Sequence, residues 1–173
     1  MIPTTQTFVH QLIEQSVHVG DTVIDGTTAN GTNTRFLATR VGSTGHVLSY
    51  AATKDNANAT ATSLFMSGLS DRVSILGKRI DDQFNTELDR QKQAHIALFD
   101  YSSDAQNNHD VPINYTKQLD IVLPRLTHGG LLIVKFDTLP SDWRNYTNNL
   151  MIGDFNQAAY TTQTVQAFVI ERI

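Results

Sequence analysis

The chain of 173 residues contains no cysteine, which excludes disulfides, thiolate catalysis and zinc–sulfur sites. It also has no apolar stretch that approaches the roughly 20 residues a membrane helix requires. The N-terminal residues show no basic start followed by an apolar core, so no secretory signal is expected. From these absences we expect a cytoplasmic protein with no membrane partner.

Basic residues are also scarce, with 13 Lys and Arg against 17 Asp and Glu and a formal net charge of −4. Proteins that grip long nucleic acids usually present a basic surface, because phosphate contacts supply most of the affinity. A nucleic-acid substrate therefore requires the basic residues to gather around one cleft. The candidate groups are Lys78 with Arg79, Arg90 with Lys92, and Lys135 with Arg144. The alternative for each group is an ordinary solvated surface of mixed charge.

The apolar pattern alternates between strand and helix along the chain. It predicts strands over 22–25, 45–50, 72–76, 94–99 and 131–136. It predicts helices over 4–18, 31–41, 54–66, 81–90, 113–126 and 141–149. Ser141 is the expected N-cap of the last helix. Two alternating stretches within 152–172 predict a closing antiparallel hairpin.

No repeat or linker divides the sequence, so residues 1–173 are expected to form a single domain. Strands that alternate with helices imply an α/β fold, with a doubly wound, mostly parallel sheet. Such a sheet is covered by helices on both faces. The closing hairpin adds antiparallel strands at one edge.

The loop after the first predicted strand is the best candidate for a nucleotide site. Doubly wound sheets bind ligands beyond the carboxyl ends of their strands, beside the first strand. Asp25 ends that strand, and small residues lead through Gly31 into a helix. Small residues let the backbone approach a ligand, and the start of a helix offers unpaired N–H groups. The alternative is a tight strand-to-helix turn that binds nothing. The candidate cofactor-binding residues are Asp25, Gly26, Thr27, Asn30, Gly31, Asn33 and Thr34, together with Ala51 after the second strand.

Residues 23–38, VIDGTTANGTNTRFLA, resemble the first motif of small bacterial methyltransferases named rRNA methylases, which reads like D-A-T-A-G-N-G-x-D-T-x-F-L-A. Shorter matches lie at 41–47, 71–73 and 129–131. That family is similar to a tRNA methyltransferase that modifies the wobble base 5-aminomethyl-2-thiouridine. The resemblance implies the methyltransferase strand order with an antiparallel last strand, S-adenosylmethionine as cofactor, RNA as substrate and a homodimer.

The sequence departs from that family after several strands. The family has an acidic residue after the second strand, where a carboxylate accepts both ribose hydroxyls of the cofactor. About twenty residues past Gly31, this chain has Ala51 instead. Loss of a charged acceptor costs about 1.5–3 kcal/mol, which is roughly ten- to over a hundredfold in affinity. The acidic residue common after the third strand is missing, and the loops after the fourth and fifth strands are also altered.

Asp100 and Tyr101 follow the fourth predicted strand, where the family has an amide and a loop with glycine, tyrosine and proline. At a strand tip, these two side chains could orient or deprotonate an amine that accepts the methyl group. The alternative is that Asp100 caps the loop that begins at Ser102.

Lys135 and Arg144 are the candidate substrate residues. His46, His109 and His128 have no metal-site spacing, so no metal is expected.

Three functions remain open from the sequence. The first is a methyltransferase that transfers a methyl group from S-adenosylmethionine to RNA, either a tRNA wobble uridine or rRNA. The second is a degenerate relative that keeps the fold and serves as a binding or dimerisation module. The third and most distant is an NAD(P)-binding oxidoreductase, which is weakened because Thr28 replaces the middle glycine of the dinucleotide fingerprint.

Overall fold

The computed structural model describes residues 1–105 and 111–173, so His109 lies outside the described residues. In those residues, seven strands form one sheet in the order β3-β2-β1-β4-β5-β7-β6. The strands are β1 Thr22–Asp25, β2 His46–Tyr50, β3 Val73–Leu76, β4 Ala94–Tyr101, β5 Leu126–Phe136, β6 Phe155–Thr161 and β7 Gln166–Arg172. The first five strands run parallel, and β7 pairs antiparallel with both β5 and β6. The predicted doubly wound sheet with an antiparallel C-terminal strand is therefore confirmed.

Helices cover both faces of the sheet, as predicted. They are α1 Thr5–Ser16, α2 Thr32–Val41, α3 Lys54–Met66, α4 Phe84–Glu87, α5 Tyr115–Val122 and α6 Trp143–Asn148. Val9, Leu37 and Leu64 bury apolar side chains of α1 to α3 against one face, which we call the α1–α3 face. On the opposite face of the sheet, which we call the α4–α6 face, α4 to α6 bury the side chains of Phe84, Leu119 and Trp143. No helix among the described residues is long and apolar enough to cross a bilayer.

Successive side chains of a strand point to opposite faces, and β4 shows the consequence. Ile96 and Leu98 pack on the α1–α3 face, whereas Phe99 and Tyr101 pack on the α4–α6 face. The strand is two residues longer than predicted, because its pairing with β5 continues through Asp100 and Tyr101. Both residues are therefore inside the sheet rather than in a loop, and they face opposite sides.

Three predicted helices differ from the observed ones. The helix expected over 81–90 is one turn, α4, and it ends before Asp89, whose φ of 73° is outside the helical region. The helix expected over 113–126 ends as α5 at Val122, because Pro124 lacks the N–H that would continue the helical hydrogen bonds. A 3₁₀ turn, Leu123–Arg125, follows. The last helix begins at Trp143 with Asp142 as its N-cap, so Ser141 does not cap it.

Candidate active site

The loop between β1 and α2 is anchored to the strands on both sides of β1. The Gly26 N–H donates to the Leu98 carbonyl in β4 at 2.8 Å, and the Thr28 N–H donates to the Tyr50 carbonyl at the end of β2 at 3.0 Å. A Cβ added at Gly26 would lie 2.5 Å from the Phe99 ring, so only glycine fits there. The loop therefore lies at the carboxyl edge of the sheet, next to the first strand, as the sequence predicts.

Asp25 is fully buried beneath this loop. Its Oδ2 accepts a hydrogen bond from Thr34 Oγ1 at 2.7 Å, and its Oδ1 accepts one from the Thr27 N–H at 3.1 Å. Burial raises the pKa of Asp25 from 3.8 to about 6, although both hydrogen bonds favour the ionised form. Asp25 thus stabilises the β1–α2 loop through hydrogen bonds to Thr27 and Thr34.

Hydroxyl groups extend this contact to neighbouring elements. Thr34 Oγ1 also lies 2.7 Å from Ser49 Oγ in β2 and 3.2 Å from Thr28 Oγ1. Thr28 Oγ1 in turn lies 2.9 Å from Thr60 Oγ1 in α3. The small polar residues of the loop therefore form a buried network among themselves, in addition to lining a cleft.

Asp100 is also fully buried, and protein groups surround its carboxylate. Its Oδ1 accepts from the Ser102 N–H at 3.0 Å and from Ser102 Oγ at 2.5 Å. Its Oδ2 accepts from Asn33 Nδ2 and from Lys135 Nζ, both at 3.2 Å. A carboxylate offers about four acceptor positions, so these donors saturate Asp100. The carboxylate caps the loop at Ser102, and a substrate amine would have to displace one of the donors.

Lys135 is a basic residue whose side chain has no exposed surface. Its Nζ donates to Gln6 Oε1 at 2.7 Å, to Asp104 Oδ2 at 2.8 Å and to Asp100. Gln6 also donates to Asn33 Oδ1 at 3.1 Å, so α1 closes over the group. We call Gln6, Asn33, Asp100, Asp104 and Lys135 the buried polar cluster.

The structure does not bring together Lys135 and Arg144, the two candidate substrate residues. Lys135 follows Leu131 and Ile133 at a spacing of two, which places its side chain on the α1–α3 face. Arg144 belongs to α6, which covers the opposite face, and it is exposed there. Sequence reasoning also missed Gln6 and Asp104. The available signal was the lysine inside the apolar run LLIVKF, because a buried ammonium requires acidic or polar partners.

Tyr101 does not join Asp100 in one site. Its ring stacks on Phe136 at a centroid distance of 5.8 Å and meets Tyr115 edge-on at 6.4 Å. Its hydroxyl is buried and has no hydrogen-bond partner within the described part of the chain. Burial raises the pKa of Tyr101 above its ordinary value. The two candidate catalytic residues therefore do not share one site, because adjacent strand residues face opposite sides.

Ala51 lies just beyond β2, at the position where an acidic ribose acceptor is expected. It is fully buried, and its N–H donates to the Leu76 carbonyl at 2.8 Å. Asp55 does not replace the missing carboxylate, because it is exposed in the first turn of α3. The site therefore lacks the charged acceptor.

The loop borders a small cavity closed on its far side by Asp104 and Ala105. Its volume of about 10 Å³ is enough for about one water molecule. The cavity is lined by Asp25, Thr27, Thr28, Ala29, Asn30, Thr32, Asn33, Asp104 and Ala105. A ligand of nucleoside size is larger than this cavity, so its binding would require lining residues such as Asp104 and Ala105 to move.

The other basic groups do not gather at this cleft in the described residues. Lys78 is neutralised by Asp81 at 3.0 Å and Glu87 at 2.7 Å. Arg90 and Lys92 precede β4 and so lie at the amino edge of the sheet, opposite the loop. Arg79 is exposed beyond the carboxyl end of β3. The candidate basic groups therefore do not form one patch, which agrees with the alternative of a surface of mixed charge.

No protein-family model matches the sequence, and no curated protein matches it. Solved structures do match the fold. A provisionally named rRNA methylase from Clostridium thermocellum has a TM-score of 0.87 and 21% identity, with 100% of both chains covered. An rRNA methylase from Streptococcus thermophilus has a TM-score of 0.82 and 18% identity, covering 100% of this chain and 99% of that one.

A third similar structure, a provisionally named methyltransferase from Streptococcus mutans, was solved in complex with S-adenosylhomocysteine. Its TM-score is 0.82 at 18% identity, with 100% of both chains covered. All three likenesses extend over the whole length of the chain. The chain therefore has the Rossmann-like fold of the S-adenosylmethionine-dependent methyltransferases.

Proposed function

We propose that this protein is an S-adenosylmethionine-dependent methyltransferase whose acceptor is RNA. The observation that carries the proposal is the position of the β1–α2 loop at the carboxyl edge of β1, hydrogen-bonded to β2 and β4. In doubly wound sheets, nucleotides bind at this position. The S-adenosylhomocysteine complex of a similar structure supports the cofactor, and the rRNA methylase names of two others support the acceptor. The separated basic groups do not add to this support, so RNA as the acceptor rests on those two likenesses.

The loop residues Thr27, Asn30 and Thr32 would hold the cofactor, because they line the cavity with polar atoms. When bound, S-adenosylmethionine supplies an electrophilic methyl group to a nitrogen, oxygen or carbon nucleophile. The chain's own part is to position the acceptor and exclude water. Asp104 and Ala105 must first leave the loop, which separates Asp104 from Lys135.

Cofactor affinity tests the first half of the proposal. Calorimetric titration with S-adenosylmethionine and S-adenosylhomocysteine should show one site. Ala51→Asp should tighten binding roughly tenfold or more, because it restores a charged acceptor for the ribose hydroxyls. Asp55→Asn, which changes an exposed carboxylate nearby, is the matched control and should leave the affinity unchanged. An unchanged affinity in Ala51→Asp would show that the pocket is remodelled elsewhere too.

RNA as the acceptor is tested separately. The purified protein would be incubated with methyl-labelled cofactor and with either hypomodified tRNA or rRNA. Label in one RNA fraction supports the proposal and distinguishes a tRNA wobble uridine from an rRNA target. Cofactor binding with no label in either RNA would mean another acceptor. Light scattering of the same preparation tests the proposed homodimer.

A second candidate is a degenerate relative that binds a partner without methyl transfer. The saturated Asp100 carboxylate and the alanine at position 51 favour it. If neither cofactor binds at millimolar concentration, this candidate replaces the first. A parallel titration with NAD(P) tests the oxidoreductase alternative.

A further inference from the structure

Two histidines and an aspartate meet at the amino edge of the sheet, at the opposite end of β1 and β4 from the candidate active site. His18 lies between α1 and β1, Asp21 directly precedes β1, and His95 is the second residue of β4. Each offers one ligand atom, and these three atoms lie within 4.8 Å of one another. The His18 and His95 rings approach edge-on at a centroid distance of 6.0 Å.

A tight turn places His18 next to Asp21. The Asp21 N–H donates to the His18 carbonyl at 3.1 Å, and the His18 N–H donates back to Asp21 Oδ2 at 2.7 Å. Gly20 has a φ of +97° at the turn position where positive φ is required. The backbone therefore fixes two of the three ligand-bearing residues before any ion binds.

The third residue, His95, is positioned by the irregular pairing of β4 with β5. The register shifts between Ala94 and Ile96, so His95 lies at the irregularity, a feature that often re-aims a side chain. Its Nδ1 lies 2.9 Å from Thr127 Oγ1 in β5. Metal-binding histidines usually donate their second ring N–H to a carboxylate, backbone carbonyl or water oxygen, which fixes the ring and the tautomer. The Thr127 hydroxyl oxygen is placed to accept from His95 Nδ1 in the same way. Nε2 of His95 is then the nitrogen left for a metal.

We propose that His18, Asp21 and His95 bind a divalent transition-metal ion of the zinc class. Two imidazoles and one carboxylate are typical zinc ligands, and three protein ligands leave a fourth position for water or another group. Zinc bonds of about 2.0–2.2 Å require small side-chain movements from the observed separations, and His18 is exposed enough to make them. The ion would tie the α1–β1 turn to the start of β4. This proposal does not depend on methyl transfer.

The test uses the full chain, purified without a histidine tag, and Zn²⁺ as the probe. Calorimetry should show one zinc ion per chain, and the melting temperature should rise with zinc concentration. Mg²⁺ should produce no shift, because imidazole is a poor ligand for it. His18→Ala and His95→Ala should each weaken zinc binding at least tenfold. His128→Ala, which changes another exposed histidine, should not weaken it.

Two further variants separate metal binding from folding. Asp21→Asn keeps a side-chain oxygen for the His18 N–H, so the turn should persist while zinc binding weakens. Thr127→Val should weaken binding about 10–100-fold by removing the partner of His95 Nδ1. Unaltered circular dichroism would show that each variant is folded. Absence of zinc binding, or equal binding in every variant, would overturn the proposal.

Discussion

The carboxyl group of Asp25 is enclosed at the end of β1, where burial raises its pKa from 3.8 to about 6. Between those pH values the folded chain keeps a proton that the unfolded chain has lost. The stability contribution of this group is therefore complete below about pH 4 and is lost as the pH rises through about 6. Asp25 makes the protein less stable at neutral pH while it orients the loop.

Asp25→Asn should remove this pH dependence, because the amide is neutral at every pH and can still accept from Thr27. Relative to the unmodified protein, its free energy of unfolding should rise by about 2 kcal/mol between pH 4 and pH 7. Urea denaturation at several pH values measures the difference. Asp55→Asn, at an exposed position, should differ from the unmodified protein in free energy of unfolding by an amount that does not change with pH. If the difference in free energy of unfolding between Asp25→Asn and the unmodified protein also did not change with pH, the raised pKa of Asp25 would be contradicted.

Tyr101→Phe separates a catalytic role from a packing role. The hydroxyl is buried without a partner in the described residues, so its removal should leave stability unchanged or raise it by about 1 kcal/mol. Methyl transfer, if present, should be unaffected. Tyr115→Phe is the comparison, since its hydroxyl donates to Asp142 at 2.6 Å, and it should lose about 1 kcal/mol. A large loss of activity in Tyr101→Phe with normal stability would restore the catalytic assignment.

At the scale of elements, the buried polar cluster joins β4, β5, α1 and α2. Asp100 and Lys135 are paired across β4 and β5, and Gln6 brings α1 onto them. Lys135→Met should destabilise the chain by about 3–5 kcal/mol, because it leaves the Asp100 carboxylate buried without its cation. Adding Asp100→Asn should recover part of the loss. Chemical denaturation of both single variants and the double variant measures the coupling.

An exposed ion pair provides the control for that comparison. Lys117 lies 3.9 Å from Asp82, and both side chains are largely exposed. Lys117→Met should therefore change stability by less than about 1 kcal/mol. Equal effects at Lys117 and Lys135 would argue against a special contribution of the buried cluster.

Element boundaries show which local signals are dependable. The apolar runs of β1 and β2 are strong enough that the predicted ends agree with the observed ones within a residue. The ends of α3 also agree, although its apolar pattern is weak, and Thr53 caps its first turn by accepting a hydrogen bond from the Asn56 N–H. The end of β4 was unpredictable, since Asp100 and Tyr101 are polar and their strand pairing is with distant residues of β5. The short α4 was unpredictable for a related reason, because loop contacts of Asp81 and Asp89 outweigh weak helix propensity.

At the scale of the whole molecule, the expectation of one domain leads to a prediction about unfolding. The chain has one tryptophan, and Trp143 packs between Phe136 and Phe168 at centroid distances of 5.1 Å. Its fluorescence therefore reports on the β5–β7 half of the sheet, whereas far-ultraviolet circular dichroism reports on all helices. Both signals should change in one coincident transition with urea. Separated midpoints would show that the two halves unfold independently.

The sequence by itself determined the fold class, most of the strands and the place of the β1–α2 loop, because these depend on periodicity and on small residues that are local in the chain. It also placed Ala51 where the family that the sequence resembles has an acidic residue. Only the tertiary structure decided which polar residues meet. Lys135 contacts Gln6 and Asp104, and His18 meets His95, although these residues are far apart in the sequence. Asp100 and Tyr101 are adjacent in the sequence but are separated, because they occupy opposite faces of a strand. Local sequence signals can show that a residue such as Lys135 needs polar partners, but they do not show which distant residues supply them.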